Sequence, residues 1–448
     1  MDLHLGRPLF APEVTALLTE ARARTLLLLD SLTEEDLRLQ HDPLMSPIVW
    51  DLAHIGHFEE VWLRENLRSV DSGSAGLRGI YNPFENPRAT RDGLELPTIS
   101  ECRDYLAAVR RAVLEELDAL PMTNATPLLA EGFVFRMVLQ HEYQHNETIL
   151  QTLQLKQGDS YPAPRQLAGP LATLGASPAL SGNTPTPGSM VRFPGGVVTL
   201  GTDDRSAAYD NERPAHEARL DPFWMDAHPV TNAEYAAFVA ADGYSDPVHW
   251  SKQGWAWKEE SALVSPKYWS LTEEGWVERS FDRTASLDPN RPVAHVCYWE
   301  AEAFSRWAGK RLPTEAEWEV AAGWNAQEER LLTYPWGDEA PGPGHANLDA
   351  LLFETTPIGS YERGRSPLGC WDMLGNVWEW TSTDFHAYPG YETFPYPEYS
   401  EVFFGREYKV LKGGAWATRF GSIRNTFRNW DYPVRRQIFS GMRCAKDD

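Results

Sequence analysis

Apolar residues recur every three or four positions over the first third of the chain, which indicates helices packed on one face. The periodic stretches are "PEVTALLTEARARTLLLLDSL" (12–32), "SPIVWDLAHIGHFEEVWLREN" (46–66), "TISECRDYLAAVRRAVLEELDAL" (98–120) and "EGFVFRMVLQHEYQHNETILQTLQL" (131–155). We expect "SLTEED" (31–36) to cap a further turn, and Ser46 and Pro47 to be the N-cap and first residue of the second helix. With one long connection at 68–97, these stretches predict a four-helix bundle over residues 1–156.

The pattern changes after residue 156. Residues 157–189 have no period and are rich in Pro, Gly, Ala and Ser, which predicts a linker. From residue 190, short strand-like runs such as "MVRFPGGVVTLGT" (190–202) alternate with Gly/Pro turns and aromatic clusters. One clear helix, "YWEAEAFSRWAGKR" (298–311), interrupts them. Residues 190–448 are therefore predicted to form a loop-rich, mixed α/β domain.

Composition narrows the possible partners. Against 41 Lys and Arg, the 448 residues include 64 Asp and Glu, a formal charge of −23. So acidic a protein repels nucleic acids and anionic membranes, and no apolar run approaches the roughly 20 residues of a membrane helix. The N-terminal "MDLHLGRPLFAPEV" does not follow the signal-peptide pattern, and four widely spaced cysteines are typical of a reducing compartment. We expect a cytoplasmic monomer that acts on small molecules.

Three histidines face the interior of the predicted bundle. His141 and His145, four apart on the fourth helix, lie on the same face, and the inward stripe of the second helix contributes His54. Imidazoles in a bundle core cost free energy unless they are hydrogen-bonded, protonated or bound to a metal. We interpret His54, His141 and His145 as a metal site. Polar core histidines are the alternative, and His57 is expected to be a neighbour.

The same stretch matches the H-E-x-x-H pattern of zinc peptidases, in which Glu142 would be the general base. The chain lacks the downstream H-x-x-G-x-x-H extension, so the pattern by itself does not favour a peptidase. A zinc hydrolase or thiol transferase, and a binding protein without catalytic activity, stay as alternatives at this point.

Longer motifs resemble known families. His54 together with the His141/His145 pair resembles the ligand pattern of DinB-like metal-binding bundles. In the second half, "RLPTEAEWEVAA" (311–322), "YPWGD" (334–338), "MLGNVWEWTS" (373–382) and "VLKGGAW" (410–416) resemble the formylglycine-generating-enzyme family, which has a C-type-lectin-like fold. Formylglycine generation requires a C-terminal cysteine pair, and "NWDYPVRRQIFSGMRCA" (429–445) offers only Cys444. That activity is not expected.

A DinB-like bundle placed ahead of such a domain resembles the sulfoxide synthases of ergothioneine biosynthesis. The motifs "DPLMSPIVWDLAHIGH", "NPRATR", "QHEYQHNET", "PYPEYSEVFF" and "FRNWDYPVRRQIF" carry this resemblance over nearly the whole chain. It implies one non-haem Fe(II) held by His54, His141 and His145. It also implies O2-dependent joining of the γ-glutamylcysteine sulfur to the imidazole C2 of hercynine (Nα-trimethylhistidine). The same chemistry with cysteine or histidine, as in ovothiol synthesis, is the nearest alternative.

The resemblance also assigns roles to other side chains. Tyr396 would be the catalytic proton donor, with Tyr391 as the other candidate, because a phenol near the metal can supply a proton or a hydrogen atom. An aromatic and amide pocket suits the hercynine cation, and two arginines with one carboxylate suit an α-amino-acid head. The implied hercynine contacts are Gln144, Tyr399, Asn429 and Trp430. The implied γ-glutamylcysteine contacts are Arg88, Asp431 and Arg435.

Overall fold

The structure is a computed structural model that describes residues 9–73, 75–117, 120, 126–164 and 185–448. These residues form two compact units. The first comprises Met1–Ala163 with Asp204–Ala207, and the second comprises Pro164–Asp203 with Ala208–Asp448. No helix within the described ranges combines the length and the apolar character needed to cross a membrane.

The first unit is helical in its described residues. Its helices are α1 (Ala11–Leu27), α2 (Glu34–Arg38), α3 (Ile48–Glu60), α4 (Ala75–Tyr81), α5 (Ile99–Leu117) and α6 (Phe133–Gln154). α3 continues as a π-helical turn, Val61–Asn66. α3 packs against α5 and α6, and α1 packs against α6, so the predicted four-helix bundle is confirmed.

Local sequence explains where these helices begin. Thr33 caps α2, because its hydroxyl accepts a hydrogen bond from Asp36 N while the Asp36 carboxylate accepts one from Thr33 N. The prediction that Ser46 caps α3 and that Pro47 is its first residue was wrong. Pro47, with extended backbone angles, occupies the N-cap position, and the Ser46 hydroxyl accepts a hydrogen bond from Arg91 Nη1 at 2.6 Å instead.

The long connection between α3 and α5 is partly helical: it contains α4 and the 3-10 turn Arg88–Gly93. After α6, Tyr161 is buried and its hydroxyl donates to the carbonyl of Leu28. This contact explains why the first unit extends to Ala163. Residues 165–184 of the predicted linker lie outside the described residues.

The second unit is built from short strands. They are β1 (Met190–Phe193), β2 (Gly196–Leu200), β3 (His216–Leu220), β4 (Phe223–Asp226), β5 (Trp269–Thr272), β6 (Gly275–Ser280), β7 (Arg283–Ser286), β8 (Trp324–Asn325), β9 (Arg330–Leu331), β10 (Trp378–Asp384), β11 (Lys409–Lys412), β12 (Asn429–Asp431), β13 (Ser440–Gly441) and β14 (Ala445–Asp447). In the described residues, β12, β11, β10 and β13 form a four-stranded sheet in that order, and β1, β4 and β14 form a three-stranded one. The predicted mixed α/β domain is confirmed.

The second unit contains more helix than the sequence pattern predicted. Besides α9 (Tyr298–Trp307), which was predicted, it contains α7 (Asn232–Ala240), α8 (Lys252–Ser261) and α10 (Glu315–Gly323). α7 and α10 are about two and a half turns long, too short for a clear apolar period. Each begins with a T-x-x-E capping box, at Thr231 and at Thr314, and this signal could have revealed them.

A buried charge cluster holds the second unit together. The Glu379 carboxylate, on β10, accepts hydrogen bonds from Trp318 Nε1 on α10 at 2.6 Å and from Arg443 Nε at 2.7 Å. All three side chains are at most 1% exposed. Because each polar group is paired, the cluster links α10, β10 and the last strands without leaving a buried charge unmatched.

Candidate functional site

Three histidine rings converge inside the helical unit. Within the described residues, the ligand nitrogens of His54, His141 and His145 lie within 4.8 Å of one another. His54 comes from α3, and His141 and His145 come from successive turns of α6. Nε2 of His54 lies 3.2 Å from Nε2 of His141. The structure therefore brings together the three histidines that the helical spacing singled out.

The remaining ring nitrogens of two of these histidines have hydrogen-bond partners. Nδ1 of His54 lies 2.9 Å from the carbonyl oxygen of Tyr81, and Nδ1 of His145 lies 3.2 Å from Oδ1 of Asp51. A carbonyl or a carboxylate oxygen can only accept, so in the neutral ring the proton lies on Nδ1. Nε2 of each ring is then left with its lone pair.

Aromatic rings pack against the same imidazoles. Trp50 stacks on His54 with ring centroids 4.8 Å apart, and Phe58 stacks on His141 at 3.7 Å. Burial lowers the pKa of His54 and His141 well below the usual value, and the neighbouring His145 lowers it further. Both rings are therefore neutral at pH 7, which is the form that binds metals.

These residues fit a divalent transition metal. Two nitrogens that each lie about 2.1 Å from one ion stand roughly 3.0–3.4 Å apart at ordinary ligand angles, and the two Nε2 atoms of His54 and His141 match this separation. Imidazole suits zinc, copper, iron and nickel alike, so the donor set alone does not select the ion. Partners on the second ring nitrogens are also typical of metal-binding histidines.

The glutamate of the peptidase pattern has a different function. Glu142 is 1% exposed, and its carboxylate accepts hydrogen bonds from Arg22 Nε at 2.9 Å and from Thr25 Oγ1 at 2.7 Å. Burial alone would raise the pKa of Glu142, but Arg22 and Arg110 outweigh it and lower the pKa. A carboxylate held in an ion-pair cluster is poorly suited to activate a water molecule, which argues against the peptidase alternative.

Three further residues of the helical unit were singled out from the sequence. His57 is not part of the three-histidine cluster, and its ring faces Tyr81 at a centroid distance of 5.9 Å. Gln144 precedes His145 on α6 and is half-buried. Arg88 opens the 3-10 turn after α4, where Nη1 donates to the carbonyl of Leu44 at 3.3 Å.

The second unit brings the aromatic residues of the predicted site together. Trp430, on β12, stacks on Phe385 at 4.1 Å and meets the ring of Tyr399 edge-on at 5.7 Å. Tyr399 in turn stacks on Tyr209 at 3.9 Å and contacts Tyr396 at 6.4 Å. The segment "PYPEYS" and strand β12 thus form one aromatic cluster.

The two candidate proton donors have different surroundings. The hydroxyl of Tyr391 donates to Oδ2 of Asp210 at 2.8 Å, and this carboxylate also accepts from the backbone N of Phe394. Burial, ahead of the nearby Tyr209, Asp210 and Glu398, raises the pKa of Tyr396 well above its usual value. Tyr396 therefore keeps its proton at pH 7.

Charged residues follow the aromatic cluster along the chain. Asp431 is the last residue of β12, and its Oδ1 lies 3.2 Å from Nε of Arg435. The Arg435 guanidinium also lies 5.7 Å from the ring of Tyr432. On the same strand, Oδ1 of Asn429 accepts from the backbone N of Trp430. The pairing of β12 with β11 places Asn429, Trp430 and Asp431 opposite Leu411, Val410 and Lys409.

Sequence reasoning missed Asp51 and the carbonyl of Tyr81. The position of Asp51 three residues before His54 was an available signal, because residues three apart share a helix face. The Tyr81 contact left no such signal, since any residue type supplies a backbone carbonyl.

Comparisons with known proteins agree with both units. Residues 17–149 match the DinB superfamily, and residues 177–448 match the sulfatase-modifying factor enzyme 1-like domain. The chain is 44% identical to the hercynine oxygenase of Mycolicibacterium thermoresistibile, over 97% of this chain and 95% of that protein. It is 42% identical to the hercynine oxygenase of Mycobacterium tuberculosis, over 96% and 97%. The formylglycine-generating enzyme of Bos taurus is 31% identical, over 60% of this chain and 78% of that enzyme.

The chain combines a DinB-type bundle, three convergent histidines and a sulfatase-modifying-factor-like domain, and the relatives that match it over nearly their whole length are oxygenases. Sequence identities of 41–44% over nearly the full length of three hercynine oxygenases then identify the family. The chain belongs to the hercynine oxygenase family.

Proposed function

We propose that this protein is an Fe(II)- and O2-dependent sulfoxide synthase that joins γ-glutamylcysteine to hercynine in ergothioneine biosynthesis. The observation that carries the proposal is the convergence of His54, His141 and His145 in a chain 44% identical to a hercynine oxygenase. The balanced reaction is thiol plus imidazole C2–H plus O2, giving the C–S-bonded sulfoxide and water. Four electrons leave the two substrates and reduce O2.

His54, His141 and His145 would hold the iron. Bound Fe(II) supplies one-electron chemistry toward O2 that closed-shell zinc cannot provide. Three neutral imidazoles do not reduce the positive charge of the ion, whereas a carboxylate ligand would. The retained charge favours ionisation of the substrate thiol, which is the nucleophilic form of the sulfur.

Tyr396 would supply a proton or a hydrogen atom during O2 reduction. The position of its ring in the aromatic cluster, 6.4 Å from the ring of Tyr399, supports this role, and a protonated phenol has a hydrogen to donate. The Tyr391 hydroxyl already donates to Asp210, which makes it the weaker candidate. Donation at the right stage would favour C–S bond formation over simple dioxygenation of the thiol.

Hercynine carries a quaternary ammonium group that cannot donate a hydrogen bond, so aromatic faces are its best partners. The contact between Trp430 and Tyr399 supports these two residues as the binding surface for the cation. Asn429 and Gln144 would add polar contacts to the rest of hercynine, as the family resemblance implies.

The γ-glutamyl group is an α-amino-acid head with both charges. The guanidinium groups of Arg88 and Arg435 would bind its carboxylates, and Asp431 would accept from its ammonium group. The Asp431–Arg435 ion pair supports this assignment, because a paired cation and anion match the two charges of the ligand head.

All four cysteines are buried and unpaired, which supports a reducing compartment, and we propose a cytoplasmic location. That the protein is a monomer stays a prediction.

The test is product analysis. The purified full-length protein, loaded anaerobically with Fe(II), is given O2, one of hercynine or histidine, and one of γ-glutamylcysteine or cysteine. We expect the sulfoxide of hercynine with γ-glutamylcysteine, detected by mass spectrometry, with matching O2 consumption. The zinc-loaded protein is the control and should consume no O2. A faster reaction with cysteine or histidine would move the assignment to the ovothiol-type alternative. No O2 consumption with any pair would overturn the proposal.

A further inference from the structure

Asp51 is a buried carboxylate of the helical unit that contacts one ring of the three-histidine cluster. It lies on α3 three positions before His54, is 1% exposed, and directs Oδ1 at Nδ1 of His145 on α6, 3.2 Å away. One helix thus contributes both a ring of the three-histidine cluster and a carboxylate that contacts another ring of that cluster. This places Asp51 beside the centre without making it one of the three converging groups.

We propose that Asp51 is a positioning residue that sets the tautomer and orientation of His145 for metal binding. The proposal rests on the metal centre of the proposed function and is independent of the substrates. A carboxylate can only accept, so it favours the neutral ring with its proton on Nδ1. Nε2 of His145 is then unprotonated and available to a metal ion.

The charge of Asp51 adds a second effect. Its other oxygen, Oδ2, is buried and accepts no hydrogen bond from the described residues. Arg91 interacts with Asp51 through space, but its guanidinium donates to Ser46 Oγ and to the carbonyl of Asn86, and it stacks on Trp50 at 3.4 Å. A buried carboxylate without a directly paired cation is costly. A divalent ion held by the three histidines would offset this cost.

The two groups that contact the Nδ1 atoms of His54 and His145 are not equivalent. The Tyr81 carbonyl orients His54 but carries no net charge. Asp51 orients His145 through a carboxylate, which makes the imidazole a stronger donor to the metal than a carbonyl does. Asp51 should therefore contribute to metal affinity through both geometry and charge, and the two contributions can be separated by substitution.

The test compares the full-length protein with Asp51→Asn, Asp51→Ala and a matched control, Asp104→Asn. Asp104 is an exposed aspartate on α5, so its substitution makes the same change in charge away from the cluster. The dissociation constants of Co(II) and Fe(II) are measured by chelator competition. The visible absorption of bound Co(II) reports ligand geometry. Thermal unfolding is recorded with and without Co(II).

We expect Asp51→Ala to weaken metal binding about 10- to 100-fold, as is typical of such partners, and to alter the Co(II) spectrum. Asp51→Asn keeps an accepting oxygen but not the charge, so its affinity should fall between those of the wild type and Asp51→Ala. Asp104→Asn should bind as the wild type does.

A purely structural role would give another result: Asp51→Ala would lower the melting temperature equally with and without metal, at unchanged affinity and spectrum. That outcome would overturn the inference. Metal binding that depends on Asp51, in a protein that makes no sulfoxide, would leave the inference standing and reject the proposed function. A wild type that binds neither ion would reject both.

Discussion

Nε2 of His54 and Nε2 of His141 lie 3.2 Å apart although the two residues are separated by 87 positions in the chain. At this distance the two nitrogens form a hydrogen bond when one of them carries the proton, and a bound cation would take the place of that proton. The relationship makes α3 and α6 the two helices on which the centre depends.

Removal of one histidine ring should strongly weaken metal binding. We expect His145→Ala to weaken Fe(II) affinity by more than about 100-fold. Loss of a residue that only hydrogen-bonds to a metal ligand already costs about 10- to 100-fold. Turnover should fall in parallel. The control is His57→Gln, since His57 is on α3 but outside the cluster. Metal content and chelator competition provide the measurement. Iron binding by His145→Ala with wild-type affinity would contradict the assignment of His145 as a metal ligand.

Replacement of Tyr396 by Phe removes the hydroxyl and keeps the ring. If Tyr396 donates the proton, sulfoxide formation should fall about 10²- to 10⁴-fold, the usual range for general acids. The sulfinic acid from thiol plus O2 should increase relative to sulfoxide. Tyr391→Phe is the matched control, because its hydroxyl donates to Asp210. Mass spectrometry measures the ratio of sulfoxide to sulfinic acid. A wild-type ratio in Tyr396→Phe would exclude Tyr396 as the donor.

Substitutions on β12 should separate the two substrates. Asp431→Asn removes the expected acceptor for the γ-glutamyl ammonium. We expect the KM for γ-glutamylcysteine to rise about 10- to 100-fold, because a hydrogen bond to a charged group contributes about 1.5–3 kcal/mol. The KM for hercynine should change little. Initial rates with each substrate varied at saturation of the other measure both values.

Trp430→Leu should have the opposite effect, with a higher KM for hercynine and an unchanged KM for the thiol. Loss of a cation–π contact predicts a several-fold to about 30-fold increase. If both substitutions raise both constants equally, the division of β12 between two substrates is wrong.

The positions of the three histidines could be predicted because helical spacing alone determines which residues share a face. Asp51 could not be assigned in the same way. Whether its carboxylate meets His145 depends on how α3 packs against α6, which no local pattern encodes. The N-cap of α3 shows the same limit on a smaller scale, since Ser46 lies where a cap is expected but forms a hydrogen bond with Arg91. The substrate-binding roles came from motif resemblance and remain predictions.

Glu142 should be important for stability and dispensable for chemistry. With Glu59 it forms a buried cluster with Arg22 and Arg110, in which Arg22 Nη2 lies 2.8 Å from Glu59 and Arg110 Nη2 lies 3.3 Å from Glu142. Removal of one charge from a buried pair usually costs about 3–5 kcal/mol.

We therefore expect Glu142→Gln to lower the free energy of unfolding of the helical unit by that amount. Metal binding by His54, His141 and His145 should be unchanged. Urea unfolding, with hydrogen exchange of α6 to assign the loss, provides the measurement. Glu115→Gln, at an exposed position of α5, is the control. If Glu142→Gln is as stable as the wild type, the cluster is not the main support of α6.

The second unit should lose stability in acid through His295. Burial, ahead of the nearby cations Lys267, Arg279 and Arg436, lowers the pKa of His295 to about 3. The ring is 6% exposed, with Nδ1 3.3 Å from the carbonyl of Arg436. In the unfolded chain its pKa is about 6.5. Below about pH 6.5 the unfolded state thus binds a proton that the folded state excludes.

The direction in which stability changes with pH follows from this difference in pKa. The contribution of His295 is fully present above about pH 6.5 and is lost as pH falls toward about 3, by up to about 1.4 kcal/mol per pH unit. His295→Asn should remove this slope, and Asn tolerates the positive φ of 59° at this position. Denaturant unfolding of both proteins at about pH 7.5 and pH 5 measures the difference, with hydrogen exchange confirming that it arises in the second unit. Equal slopes would mean that His295 is protonated in the folded protein, contrary to its buried position.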